Sequence, residues 1–126
     1  MIRIIVVDDE QDNALTIKVI LESNGFAVDT FNRPDEALAQ FRPDYYEMLI
    51  TDVRMPVING FELYRQIRKI DNKIKVVFMT AFEMYEAEFK NVSPSVDVKD
   101  FFKKPIGMSE LIERVKQALG EESTMP

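Results

Sequence analysis

The sequence alternates regularly between short runs of β-branched residues and longer segments with helical periodicity, and this constrains the fold most. Five runs predict strands, at residues 2–7, 26–31, 48–51, 74–80 and 98–102. The segments between and after them predict helices at 13–23, 34–41, 59–70 and, least regularly, 82–91, with a last apolar stripe from 108 to 119. Such alternation is typical of an α/β fold in which right-handed crossovers place helices on both faces of one parallel sheet. The second run alternates in polarity, which favours a position near the edge of that sheet.

Composition limits the chemistry that this chain can perform. Its 126 residues suit one domain, which we expect over residues 1–120 with a short tail at 121–126. The absence of cysteine and histidine excludes disulfides, the usual zinc sites, a Ser-His-Asp triad and a phosphohistidine of its own. The formal net charge of −6 argues against nucleic acid as a direct partner.

The N-terminal segment carries no sign of a secretory signal. Its apolar run is short and ends in acidic residues, and no apolar run in the chain approaches the roughly 18 residues of a membrane-spanning helix. We therefore expect a cytoplasmic protein without a membrane partner.

Polar and charged residues follow the predicted strands at their carboxyl ends. The first strand ends in Asp8-Asp9-Glu10, and the third and fourth end in Asp52 and Thr80. Lys103-Lys104-Pro105 follows the fifth. Because sites in open parallel sheets form beyond the carboxyl ends of strands, we expect these side chains to converge.

Converging carboxylates repel one another, so a cation must compensate their charge. Mg²⁺ prefers carboxylate oxygens together with a substrate phosphate, and a lysine adds a mobile positive charge. Such an assembly suits phosphoryl transfer, in which catalysis is mostly positioning and charge neutralisation, and an aspartate beside the metal can act as the nucleophile.

The set Asp8-Asp9, Asp52, Thr80 and Lys104-Pro105 resembles the receiver domain of two-component response regulators. The segment from Asp52 to Gly60, with its Met-Pro pair, is similar to that family's loop after the phosphoacceptor. The resemblance covers about residues 2–119 and implies a flavodoxin-like, doubly wound (βα)5 fold. Its five-stranded parallel sheet would have the order 2-1-3-4-5.

The resemblance also implies a role for each matched residue. Asp52 would be the phosphoacceptor. Lys104 would pair with the phosphoryl group, and Thr80 and Phe101 would respond to it as switch residues. The implied Mg²⁺ ligands are Asp8, Asp9, Asp52 and the backbone carbonyl of Arg54.

The function implied is a phosphorylation-dependent signalling switch rather than an enzyme with turnover. A histidine kinase or phosphotransfer protein would donate the phosphoryl group, and a protein target would bind the face formed by the fourth helix, fifth strand and fifth helix. The segment 91–99 departs from the family pattern, because Ser93-Pro94-Ser95 stands where a Gly-Ala pair is usual. The sequence leaves open whether phosphorylation causes dimerisation.

Three other functions fit the same architecture less well. A phosphatase with an aspartate nucleophile is expected to carry Asp-x-Asp after its first strand, whereas Asp8 and Asp9 are adjacent. A flavin carrier needs a phosphate-binding loop at the position of these acids, which would repel the phosphate. A degenerate receiver that binds partners constitutively stays open as the main alternative.

Overall fold

The computed structural model describes residues 1–80, 101–103 and 107–120. Its strands are β1 (Arg3–Val7), β2 (Ala27–Phe31), β3 (Met48–Asp52), β4 (Lys75–Thr80) and β5 (Phe101–Lys103). They form one parallel sheet in the order β2-β1-β3-β4-β5, as predicted. The alternating second run is an edge strand, also as predicted.

Four helices lie within the described residues: α1 (Gln11–Glu22), α2 (Pro34–Gln40), α3 (Gly60–Ile70) and a C-terminal helix (Met108–Ala118). The predicted fourth helix at 82–91 and the first part of the predicted fifth strand, 98–100, lie outside the described residues. The other elements agree with the sequence prediction to within three residues at each end.

Two apolar clusters, one on each face of the sheet, hold the helices in place. On one face, α1 and the C-terminal helix contribute Ile17, Leu21 and Leu111, which pack with Ile4 and Ile50 of the central strands. On the other face, α2 and α3 pack against the alternate residues of the same strands; this cluster includes Ala37, Leu63, Ile67, Ile5 and Leu49. Helices on both faces bury the central strands except at Arg3 and Lys75, the first residues of β1 and β4, which explains their continuous apolar runs.

Candidate metal and phosphoacceptor site

The carboxyl ends of three adjacent strands bring the predicted site residues to one edge of the sheet. Asp8 follows β1 directly, whereas Asp52 and Thr80 are the last residues of β3 and β4. All three are buried, although each carries a polar side chain. Their shared position at the carboxyl ends of parallel strands, where sites form in open sheets, indicates a functional site.

Three carboxylates meet at this edge. Asp8, Glu10 and Asp52 each offer an oxygen, and these oxygens lie within 4.8 Å of one another. Asp8 and Asp52 are buried, whereas Glu10 is exposed. A set of carboxylate oxygens at this spacing, open to solvent on one side, fits the ligand preference of Mg²⁺, which keeps some of its waters.

Glu10 is the member of this cluster that the sequence prediction does not include among the metal ligands. Its backbone N–H donates a hydrogen bond of 2.9 Å to Oδ1 of Asp8, which holds the turn between β1 and α1. Asp9 lies between them in the chain, is exposed, and does not belong to the group of carboxylates within 4.8 Å. Its predicted role as a metal ligand stays a prediction.

The backbone around Asp52 is held by bonds to β4 and α3. The amide of Val53 donates to the carbonyl of Met79 at 2.9 Å, and the amide of Gly60 donates to the carbonyl of Val53 at 2.8 Å. A Cβ on Gly60 would overlap the carbonyl oxygen of Asp52 and lie 3.2 Å from Cγ2 of Thr51. Only glycine lets α3 begin this close to the end of β3.

The loop between β3 and α3 contains a strained turn. Val57 has a φ of 77°, and the amide of Ile58 donates to the carbonyl of Pro56 at 3.0 Å, which closes a γ-turn centred on Val57. This turn is rare and strained, especially for a β-branched residue. The predicted carbonyl ligand, Arg54, lies in the same loop with an exposed side chain.

The predicted switch residue Thr80 lies at the same edge. Thr80 is the register partner of Lys103 across the pairing of β4 with β5. Lys104, the lysine of the prediction, lies outside the described residues, as does Pro105.

Phe101 packs into an aromatic cluster. Its ring stacks on Phe78, with ring centroids 5.0 Å apart, and lies 5.8 Å from the ring of Phe61. Tyr64 meets Phe78 edge to face at 5.6 Å. The predicted switch aromatic is therefore partly buried against the face of the sheet that α2 and α3 cover.

The sequence matches the family of the response regulator receiver domain over residues 4–116. The chain therefore belongs to that family, whose members work in two-component signal transduction. The receiver domain has the fold of a signalling switch and is not a classical enzyme family. Receiver domains accept phosphate from histidine kinases and bind protein targets.

Particular relatives include transcriptional regulatory proteins. The chain is 34% identical over 113 residues to the transcriptional regulatory protein CreB of Escherichia coli, covering 90% of this chain and 48% of that protein. It is 29% identical to the transcriptional regulatory protein PcoR of Escherichia coli, covering 94% of this chain and 52% of that protein. The chain spans about half the length of the curated relatives it matches.

Solved structures support the same assignment. A CheY-like receiver domain protein from Methanospirillum hungatei superposes with a TM-score of 0.84 at 26% identity, covering 96% of this chain and 95% of that one. The response regulator TrrA from Thermotoga maritima, solved in complex with Mg²⁺ and BeF, superposes with a TM-score of 0.78 at 32% identity. That match covers 94% of this chain and 99% of that one.

One further property concerns membranes. Within the described parts of the chain, the helices are too short or too polar to cross a bilayer.

Proposed function

We propose that this receiver domain accepts a phosphoryl group on Asp52 in a Mg²⁺-dependent reaction, with a histidine kinase or phosphotransfer protein as the donor. The observation that carries the proposal is the pair of buried carboxylates, Asp8 and Asp52, whose oxygens lie within 4.8 Å of each other and of a Glu10 oxygen. A divalent cation among these carboxylates would offset their mutual repulsion. The donor set is the one that Mg²⁺ prefers.

Asp52 supplies the nucleophile. One of its carboxylate oxygens forms a bond to phosphorus while the bond from phosphorus to the donor breaks, which leaves an acyl phosphate on Asp52 and returns the electron pair to the donor group. A bound Mg²⁺ would neutralise the charge that gathers on the phosphoryl oxygens. The hydrogen bonds of Val53 and Gly60 keep the Asp52 backbone fixed, so little reorganisation accompanies the transfer.

Two further groups complete the proposed metal site, according to the resemblance. Asp9 would be a direct ligand and the backbone carbonyl of Arg54 would supply a neutral oxygen, whereas Asp8 would act largely through water. The exposure of Asp9 and of the Arg54 loop leaves an ion open to solvent on one side, which suits an ion that must also bind a phosphoryl oxygen.

The signal would arise from groups that respond to the new charge. Lys104 would pair with a phosphoryl oxygen and the hydroxyl of Thr80 would donate to another. Phe101 would follow the movement of Thr80, which shifts the balance between two states of the domain. The target would bind the face of the fourth helix, fifth strand and fifth helix.

Exposed apolar side chains on α1 and the C-terminal helix would offer the donor protein a contact surface. Leu15 and Val19, one turn apart on α1, are 45% and 63% exposed, and Met108 at the start of the C-terminal helix is 63% exposed. Since α1 begins just after the carboxylate cluster, a protein that docks on these residues has access to Asp52.

The test is the intact mass of the protein after incubation with a small acyl-phosphate donor, with and without Mg²⁺. We expect a gain of one phosphoryl group that requires Mg²⁺ and that the Asp52→Asn variant does not show. No gain in the wild-type protein under either condition would contradict the proposal and would favour the alternative, a constitutive protein-binding module.

A further inference from the structure

We infer that Glu10 is a third acidic residue of the cation site and that it raises the affinity of this site for divalent cations; the inference rests on the proposed function. The family resemblance assigns ligands at Asp8, Asp9 and Asp52 but none at Glu10. In the structure, however, it is the Glu10 carboxylate that lies within 4.8 Å of the carboxylates of Asp8 and Asp52.

The local backbone explains why Glu10 takes this position. Its N–H donates to Oδ1 of Asp8, so the turn folds back over the end of β1 and brings the two side chains to the same side. Glu10 occupies the N-cap position of α1 and has extended backbone angles. Its side chain does not accept a hydrogen bond from the first amides of that helix, as a capping side chain would.

The charge arrangement predicts the size of the effect. An ion held by Asp8 and Asp52 has the Glu10 carboxylate within reach, either directly or through a coordinated water. A carboxylate at this distance attracts a divalent cation, but Glu10 is exposed and water screens the attraction. We therefore expect its removal to weaken cation binding by about threefold to thirtyfold. Removal of groups that support metal ligands typically weakens binding by about tenfold to a hundredfold, so the expected loss is smaller.

The experiment is a calorimetric titration of the unphosphorylated protein with Mg²⁺ and, separately, with Mn²⁺. The variants are Glu10→Gln, which removes the charge, and Glu10→Asp, which keeps it. Glu22→Gln is the matched control, because Glu22 is an exposed glutamate at the far end of the same helix. We expect weaker binding in Glu10→Gln by about threefold to thirtyfold, a smaller loss in Glu10→Asp and none in Glu22→Gln. Wild-type affinity in Glu10→Gln would overturn the inference.

Thermal unfolding in the presence of a chelator separates folding from binding. Without a cation, removing one of three clustered negative charges relieves repulsion, so Glu10→Gln should unfold at the wild-type temperature or above it. Adding Mg²⁺ should then stabilise the wild-type protein more than the variant. If the wild-type protein binds no divalent cation, the proposed function itself fails. If it binds normally and Glu10→Gln matches it, only the role of Glu10 fails.

Discussion

Gly60, the first residue of α3, lies so close to Asp52, the last residue of β3, that a Cβ on the glycine would overlap the aspartate's carbonyl oxygen. The contact ties the start of a helix to the proposed phosphoacceptor. The placement of Asp52 therefore depends on a glycine at position 60, although Gly60 takes no part in the chemistry.

A Gly60→Ala substitution should therefore displace Asp52 and destabilise the domain by about 1–3 kcal/mol, the cost of overpacking a filled site. Urea unfolding measures the loss, and the rate of labelling by an acyl-phosphate donor measures the displacement. Gly107→Ala is the control, because nothing lies within 4 Å of a Cβ there. It should cost about 1 kcal/mol or less, as expected for a helix cap, and leave the labelling rate unchanged. Equal labelling rates in both variants would show that the contact does not position Asp52.

The strain at Val57 predicts a stabilising substitution. Val57→Asn places a residue that tolerates positive φ at the centre of the γ-turn, so it should raise the free energy of unfolding by about 0.5–2 kcal/mol. Val19→Asn, at an exposed position within α1, should instead lower that free energy slightly. A loss of stability in Val57→Asn would mean that valine is not strained in this turn.

Asp71 should make the stability of the domain sensitive to acid. This buried carboxylate accepts hydrogen bonds from the backbone amides of Asp44 at 2.9 Å and Lys73 at 3.0 Å. The bond from Asp44 is the largest cause that lowers the pKa of Asp71. Since an unfolded aspartate has a pKa of about 3.9, the stabilisation is fully present above that pH and is lost as the pH falls through the lower pKa of the folded state.

Asp71→Asn should then cost about 1–3 kcal/mol in urea unfolding at neutral pH and flatten the dependence of stability on acid pH. Asp35→Asn is the comparison. The hydrogen bond from Arg33 lowers the pKa of Asp35 as well, but both of these side chains are exposed to solvent. We expect little change there, since exposed ion pairs contribute little. An acid profile of Asp71→Asn that matches the wild type would contradict this account.

Tyr46 should stay protonated at pH values at which the tyrosine of an unfolded chain ionises. Its hydroxyl donates to Asp29 at 2.6 Å, and burial first, then this hydrogen bond, raises the pKa of Tyr46. The stabilisation is fully present below about pH 10, the pKa of an unfolded tyrosine, and is lost as the pH rises above it.

The ultraviolet absorbance of phenolate during an alkaline titration checks this. The phenolate absorbance that appears before the protein unfolds should be the same in Tyr46→Phe as in the wild-type protein. A lower absorbance in Tyr46→Phe than in the wild-type protein over that pH range would show that Tyr46 ionises before unfolding, which would contradict this account.

The sequence predicts the parts of this fold that local patterns encode. Continuous apolar runs locate the central strands. The rule that sites form at the carboxyl ends of parallel strands is enough to bring Asp8, Asp52 and Thr80 together. The apolar pattern starts α1 two residues too late, because Gln11 and Asp12 are polar and add nothing to the apolar stripe.

What the sequence could not predict depends on contacts between distant residues or on side-chain direction. The bonds of Tyr46 with Asp29 and of Asp71 with Asp44 join residues 17 and 27 positions apart, and no local pattern records them. The sequence does not single out Glu10, because an acidic residue at a helix start is ordinary. Only the folded turn reveals that its carboxylate lies beside those of Asp8 and Asp52.

The most direct test of the central claim is to locate the phosphoryl group after labelling. Borohydride reduces an aspartyl phosphate to homoserine, so peptide mass spectrometry of the reduced protein reads out the labelled position. The account predicts homoserine at residue 52, dependent on Mg²⁺ during labelling. Homoserine at Asp8, at Asp9 or at another aspartate, with Asp52 unchanged, would contradict it.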